Sequence, residues 1–271
     1  LKLSRGLGDV YKRQVLLIMT INLAASLFKK NLWKVKKTGI IIVHLGGLLL
    51  LLGGGVTALF SSEGNMVIAE GETSNHVDDY FDMELAFVNT SRDDSLEYTV
   101  FDAPLLNDGN SITYEDFGIQ IDIISHMENV RIESRISPAE KTYKGFLKEF
   151  VLLPLRPEKE ATQNRPGIII KLSGLSSEKD GIYGIFLGQK TPDTFQINGD
   201  LYFTEFRRKR TYLPFAISLL DFEKIMHPGT NVAKSYSSEV NLIENSIPRR
   251  ILIQMNEPLR HQNYTFYQAS F

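Results

Sequence analysis

The chain has 271 residues, 43% of them hydrophobic and 23% charged, which is long enough for one sizeable domain and one or two membrane segments. It contains no cysteine, so a disulfide framework, a cysteine-based metal site and a nucleophilic thiol are all excluded. The net charge of -2 conceals a lysine cluster between residues 29 and 37, directly before the most apolar stretch. That asymmetry indicates that the chain associates with a membrane and not with nucleic acid.

The first 28 residues fall into two parts. Residues 1 to 14 carry charged side chains where lipid would require apolar ones, and we interpret them as a non-native leader that is not part of the fold. Residues 15 to 28 are apolar but too few to cross a bilayer by themselves. They are predicted to be part of a transmembrane helix.

The next apolar stretch, residues 39 to 60, has no formal charge when His44 is neutral. As a helix it would be about 33 Å long, enough to cross a bilayer. A signal peptide would have a shorter apolar run and a small-residue cleavage site, which residues 58 to 60 do not provide. We therefore predict one continuous helix over residues 39 to 60, with residues 40 to 60 as the transmembrane segment.

The segment between the two apolar stretches, residues 29 to 39, is predicted to be a basic cytoplasmic loop, because short loops rich in lysine stay inside. The following helix would then run outward, and residues 61 to 271 would form an extracytoplasmic domain. The expected location is the bacterial inner membrane, with the main domain on the periplasmic or extracytoplasmic side.

Beyond residue 61 the sequence consists of short β-type runs separated by turn residues. Ile119, Ile121 and Ile123 alternate with polar neighbours, which is the pattern of a strand with one buried face. Asn198 and Gly199 stand between apolar flanks and tolerate positive φ, so they indicate a tight hairpin. We predict a membrane-anchored all-β fold, in which a helix or helical hairpin precedes an antiparallel β-rich domain, sandwich or barrel-like.

His44 is the first candidate functional residue, because an ionisable side chain within a membrane helix usually faces a partner, a cavity or a ligand. Neutral imidazole is a common axial ligand of haem iron. Equally, a histidine about 7 Å into the helix could hydrogen-bond a neighbouring helix. Gly46 and Gly47 lie within one turn of His44 and would let another helix, or a flat macrocycle, approach closely.

The rest of the chain contains no metalloprotease motif, nucleophile elbow, phosphate-binding loop or dinucleotide-binding motif. We therefore expect that the chain is not an enzyme by itself. The other histidines lack metal-ligand spacing and are predicted to be surface or turn residues. The acidic run from Asp78 to Glu84 lacks the spacing of a calcium loop. The basic run from Arg207 to Arg210 is predicted to be a solvated strand end, with membrane-surface contact as the alternative.

Three sequence blocks together resemble the ResB-like family of system II cytochrome c biogenesis. They are HLGGLLLLLGGGVTALFSSEGNMVIAEGET at 44 to 73, LPFAISLLDFEKIMHPGTNVAKSYSSEV at 213 to 240, and IQMNEPLRHQNYTFYQASF at 253 to 271. The resemblance covers residues 15 to 271 and is specific in these blocks. Relative to the family pattern, the front of the chain is cut and the end precedes a final helix, as in a fragment of a longer gene.

The resemblance implies a subunit of a membrane complex that transports haem and attaches it to c-type apocytochromes. Its partner would be a ResC-like multi-span membrane protein, and the complex would act as a cytochrome c haem lyase. The family's membrane histidine matches His44, which would give one axial ligand to the iron of haem b. The alternative is a membrane-tethered β-domain that serves as a scaffold or assembly protein and has no haem contact.

Overall fold

The computed structural model describes residues 7–28, 34–60, 62–91, 96–159, 161–176 and 178–268. The chain divides into two compact units, Leu1–Glu63 and Gly64–Phe271. The described part of the first unit is helical, and that of the second consists mainly of antiparallel strands. The predicted fold class, a helix or helical hairpin followed by an antiparallel β-rich domain, is therefore confirmed.

The helical unit contains helix α1, Leu7–Leu27, and helix α2, Thr38–Phe60, with a short 3-10 helix at Val35–Lys37 before α2. The continuous helix predicted over residues 39 to 60 is thus confirmed. Within the described residues, α2 is the one helix long and apolar enough to cross a membrane, whereas the apolar part of α1 is Gln14–Leu27. The predicted loop ends earlier than expected, because Thr38 and Gly39 already belong to α2.

Helix α1 begins before the apolar segment that the sequence indicated. Its backbone is helical from Leu7, which includes part of the segment interpreted as a leader. The reason is that helical hydrogen bonds form between residues four apart and need no apolar side chains. The charges of residues 1 to 14 therefore argue against burial in lipid and not against a helix. Residues 1 to 6, and residues 29 to 33 of the basic loop, lie outside the described residues.

The β unit is built from short strands and three longer ones. In chain order the described strands are β1 Gly64–Asn65, β2 Thr73–Asn89, β3 Glu97–Asp102, β4 Ser111–Tyr114, β5 Ile119–Met127, β6 Val130–Ser134, β7 Phe150–Pro154, β8 Gly167–Ser173, β9 Gly181–Phe186, β10 Thr194–Ile197, β11 Asp200–Met226, β12 Ala233–Glu244, β13 Ile247–Gln254, β14 Leu259–His261 and β15 Tyr264–Phe266.

These strands form two main antiparallel sheets. The larger sheet has the order β1-β2-β11-β12-β13, with β3 added to β2 and β10 added to β11, and the smaller has the order β4-β5-β8-β9. Two separate hairpins, β6-β7 and β14-β15, complete the described strands. The alternating burial along β5 puts Ile119, Ile121 and Ile123 in the core, at no more than 2% exposure, as the sequence predicted.

The principal core lies between the two sheets, as in a β-sandwich. Phe87 and Phe206 from the larger sheet share one apolar cluster with Ile121, Ile170 and other side chains of the smaller sheet. A second cluster lies beneath the other half of the larger sheet, where β11, β12 and β13 meet the β14-β15 hairpin. All the buried side chains of these two clusters belong to the β unit, which therefore contains a core of its own. Full burial of one such side chain contributes about 1.5–3 kcal/mol.

Strand β11 is much longer than the short runs that the sequence indicated, since it continues for 27 residues. Pro214 would ordinarily break a central strand, since it has no N–H to donate. It lies where the register to β2 shifts, between Tyr212 and Ile217, and before the pairing with β12 begins at Ala216. The missing donor therefore costs no ladder hydrogen bond.

The predicted hairpin at Asn198 and Gly199 is confirmed. These residues have φ of 53° and 93° and connect β10 to β11, with Ile197 paired to Asp200. Positive φ at both central positions matches the right-handed twist of the flanking strands. The turn thereby sets the register that carries Phe195 and Ile197 into the principal core.

Candidate functional site

His44 lies on α2 within its first two turns, partly buried, and its ring is oriented by the helix itself. Its Nδ1 is 2.8 Å from the carbonyl oxygen of Ile40, four residues earlier. A carbonyl oxygen can only accept a hydrogen bond, so Nδ1 carries the proton in this contact. In the neutral imidazole, the other ring nitrogen, Nε2, then has an available lone pair. This is the arrangement that prepares a histidine for metal ligation.

The residues around His44 lie on two different sides of α2. His44 belongs to a partly buried stripe that also includes Ile41, Gly47 and Leu51, at intervals of three and four residues. Gly47 contacts α1, since a Cβ added there would lie 3.6 Å from Leu23 Cδ1. This supports the helix-packing interpretation for Gly47.

Gly46 has a different environment from Gly47. It is exposed, and a Cβ added there would meet nothing within 4 Å. At about 100° per residue, Gly46 lies roughly 200° around the helix from His44. The structure therefore brings His44 and Gly47 to one face of α2 and leaves Gly46 on another.

The histidines of the β unit lie apart from one another in aromatic or turn environments. Burial lowers the pKa of His126, whose ring meets Phe206 edge-on at 5.7 Å. His261 is 4.8 Å from the ring of Phe215, and His227 occupies an exposed turn. In the part of the chain that the structure describes, no group of three or more His, Asp or Glu side chains could hold a metal ion. One imidazole on α2 can supply one ligand to a haem iron and no more.

The acidic and basic runs, which the sequence analysis treated separately, face each other across neighbouring strands. Strand β2 pairs with β11 and β3 in a register that aligns the two runs. The ion pairs are Arg207 with Glu84 at 2.7 Å, Lys209 with Asp102 at 2.8 Å, and Arg210 with Asp78 at 3.4 Å. The prediction of a solvated strand end is therefore wrong, because the run from Arg207 to Arg210 lies in the interior of β11 and Arg207 is buried. The pairing could be recognised only once the strands were aligned.

The Arg207–Glu84 pair is buried, with both side chains about 5% exposed or less. Burial alone lowers the pKa of Arg207, but the hydrogen bond to Glu84 and the nearby carboxylates outweigh it, and the net pKa is raised. The guanidinium also lies 4.7 Å from the centre of the Tyr98 ring. Buried pairs of this kind are costly to break, since the remaining charge has no water.

A second buried acid lies near the smaller sheet. Burial raises the pKa of the Asp193 carboxyl, although the backbone N–H of Phe146 partly offsets this by donating a hydrogen bond to it. The same environment raises the pKa of Tyr183 to about 12, first through burial and then through the charges of Asp193 and Asp180. Gly145, at φ 51°, leaves the space that the Asp193 carboxylate occupies.

Comparison with known proteins gives one curated relative and one family. The chain is 23% identical over 265 residues to Protein NrfI of Wolinella succinogenes, a match that includes 94% of this chain and 25% of that protein. The chain therefore spans about a quarter of the length of the relative it matches. The model of the ResB-like family matches residues 29–133 and 185–271.

The family match is interrupted by residues that build the core. Residues 134–184 lie outside it, yet they supply β8, which joins β5 to β9, and the fully buried Ile168 and Ile170. The matched segments still make up well over half of the chain and contain α2, β2, β11 and β12. The resemblance seen in the sequence is thereby confirmed, and the chain belongs to the ResB-like family.

Proposed function

We propose that this chain is a membrane subunit of machinery that moves haem and attaches it to c-type apocytochromes, together with a ResC-like multi-span partner. Family membership supports a role in cytochrome c maturation. Helix α2 supports membrane association, since it is apolar throughout and long enough to cross a bilayer. The proposal that the chain contacts haem depends on His44.

The observation that carries the proposal is the 2.8 Å contact between His44 Nδ1 and the Ile40 carbonyl oxygen. In the neutral imidazole this contact leaves Nε2 available on the partly buried stripe of α2. Haem, when bound, supplies the iron that accepts this lone pair. His44 would hold and orient the haem, while its Nδ1 keeps the hydrogen bond to Ile40.

The same geometry supports a second chain in the complex. His44 is the one histidine among the first 75 residues of the sequence, so the helical unit offers one histidine ligand to the iron. None of the residues of α2 is buried within this chain. The partner subunit would therefore give the other axial ligand and cover the apolar faces of α2.

The orientation we propose follows the positive-inside rule. Lys34, Lys36 and Lys37 precede α2 directly, which favours a cytoplasmic start of the helix and an extracytoplasmic β unit. His44 would then lie near the cytoplasmic side of a bacterial inner membrane. Reporter fusions after residue 61 that are active only in the cytoplasm would contradict this orientation.

The test is the haem content of the complex purified from cells. In His44→Ala the Soret absorbance per mole of complex should be largely lost, while the protein level persists because the substitution makes the helix less polar. Leu49→Ala is the matched control, since Leu49 lies on the same helix and is 73% exposed. A His44→Ala complex with full haem content would favour the scaffold alternative, in which the chain assembles the complex without haem contact.

A further inference from the structure

Strands β11 and β12 extend beyond their neighbours as a two-stranded ribbon. The pairing of β2 with β11 ends at Ser218, and the pairing of β13 with β12 ends at Ser237. The two strands continue to pair with each other as far as Met226 and Ala233. Residues 224 to 236, which contain the turn, are called the hairpin tip below. A ribbon with two strands has few apolar contacts of its own.

The hairpin tip combines exposed apolar side chains with positive charge. Ile225, Met226 and Val232 are 44%, 37% and 63% exposed. Lys224 and Lys234 lie on either side of these residues. Residues 224 to 236 contain no Asp or Glu, although the chain has 32 acidic residues in total. The hairpin tip therefore carries two positive charges and an apolar surface, and Glu223 lies directly before it on β11.

The base of the hairpin tip contains aromatic side chains next to one of the lysines. The ammonium group of Lys224 lies 5.8 Å from the centre of the Tyr236 ring, and that ring stacks on Phe222 at 6.2 Å. Tyrosine and lysine both have an apolar body and a polar end, which suits them to the boundary between lipid headgroups and hydrocarbon.

We propose that the hairpin tip inserts into the headgroup layer of an anionic bilayer. Ile225, Met226 and Val232 would reach the acyl boundary, and the two lysines would meet lipid phosphates. Two observations favour lipid over a protein groove. The charge has the sign that an anionic surface attracts, and three residues separate the end of α2 from β1, so the β unit is tethered to the membrane that α2 crosses. The inference rests on α2 as a membrane span and is independent of haem binding by His44.

The test uses the full chain, in which single labels are clean because no native cysteine exists. Val232→Cys carries an environment-sensitive fluorophore, and the protein is reconstituted in phosphatidylcholine vesicles with or without phosphatidylglycerol. Ile247→Cys is the matched control, because Ile247 is 70% exposed and lies beyond the opposite end of β12. The two labels are separated by about 40 Å along the strand.

The label at Val232 should shift to the blue and be quenched by lipid-borne quenchers in phosphatidylglycerol vesicles, while the label at Ile247 stays in water. Replacing both lysines, Lys224→Gln and Lys234→Gln, should lower the ratio of inserted to free tip about 25-fold, at about fivefold per lysine. Equal quenching of both labels would overturn the proposal, as would a Val232 label that stays in water. A shift that requires the purified partner subunit and ignores lipid charge would instead assign the tip to a protein interface.

Discussion

Helix α2 and the β unit differ in where their apolar side chains lie. None of the residues of α2 is buried, although nearly all are apolar, whereas Ile121, Ile168 and Ile170 of the β unit have no exposed surface. The β unit thus carries its own hydrophobic core. The apolar surface of α2 needs lipid or another subunit, and the candidate residue His44 belongs to this region.

The largest expected effect comes from breaking the buried ion pair of the β unit. Glu84→Ala leaves the guanidinium of Arg207 buried without its main partner, which should lower the free energy of unfolding by about 3–5 kcal/mol. Urea denaturation of the full chain in detergent, followed by the circular dichroism of the strands, measures this. Glu239→Ala removes an ion pair with Arg250 at the exposed surface and should change little. Unaltered unfolding of Glu84→Ala would show that the pair is not buried in solution.

The next effect compares equivalent truncations in the two regions. Ile170→Ala empties space in the principal core and should destabilise the β unit by about 2–5 kcal/mol. Leu49→Ala on α2 removes a side chain that is 73% exposed within this chain. It should leave the unfolding of the β unit unchanged. Equal losses in the same urea titration would contradict the separation of the two regions.

The smallest expected effect on stability concerns Asp193 and depends on pH. Because burial raises the pKa of this carboxyl above its usual 3.8, the native state keeps the proton to higher pH than the unfolded state. The contribution of Asp193 to stability should therefore fall as pH rises from about 3.8 to the native pKa and stay level above it. Asp193→Asn can still accept the hydrogen bond from Phe146 and should remove this slope. A slope that persists in the variant would assign it to another group.

Much of this fold could be predicted because its signals are local. The period of two in β5 and the Asn198-Gly199 turn each depend on adjacent residues, and both were confirmed. The continuity of β11 through Pro214 could not be predicted, since it depends on where β2 and β12 begin and end their pairing. The Arg207–Glu84 pair was missed for the same reason, since its members are 123 residues apart.

The candidate site was predicted less completely than the fold. His44 could be chosen from sequence, since one imidazole stands in an otherwise apolar helix. The hydrogen bond from His44 to Ile40 is compatible with helix geometry, because a polar side chain in a helix can reach the carbonyl oxygen four residues earlier. Gly46 and Gly47 were grouped by adjacency, although the rotation of about 100° per residue separates them.

The central claim is that His44 is an iron ligand, and chemical rescue tests it most directly. The His44→Ala complex is purified with and without added imidazole, which is small and neutral enough to enter the vacated space and replace the lost ligand. We expect imidazole to restore part of the Soret absorbance and of cytochrome c maturation in His44→Ala, and to change neither in Leu49→Ala. A His44→Ala complex that keeps its full haem content and matures cytochrome c normally without imidazole would contradict the claim.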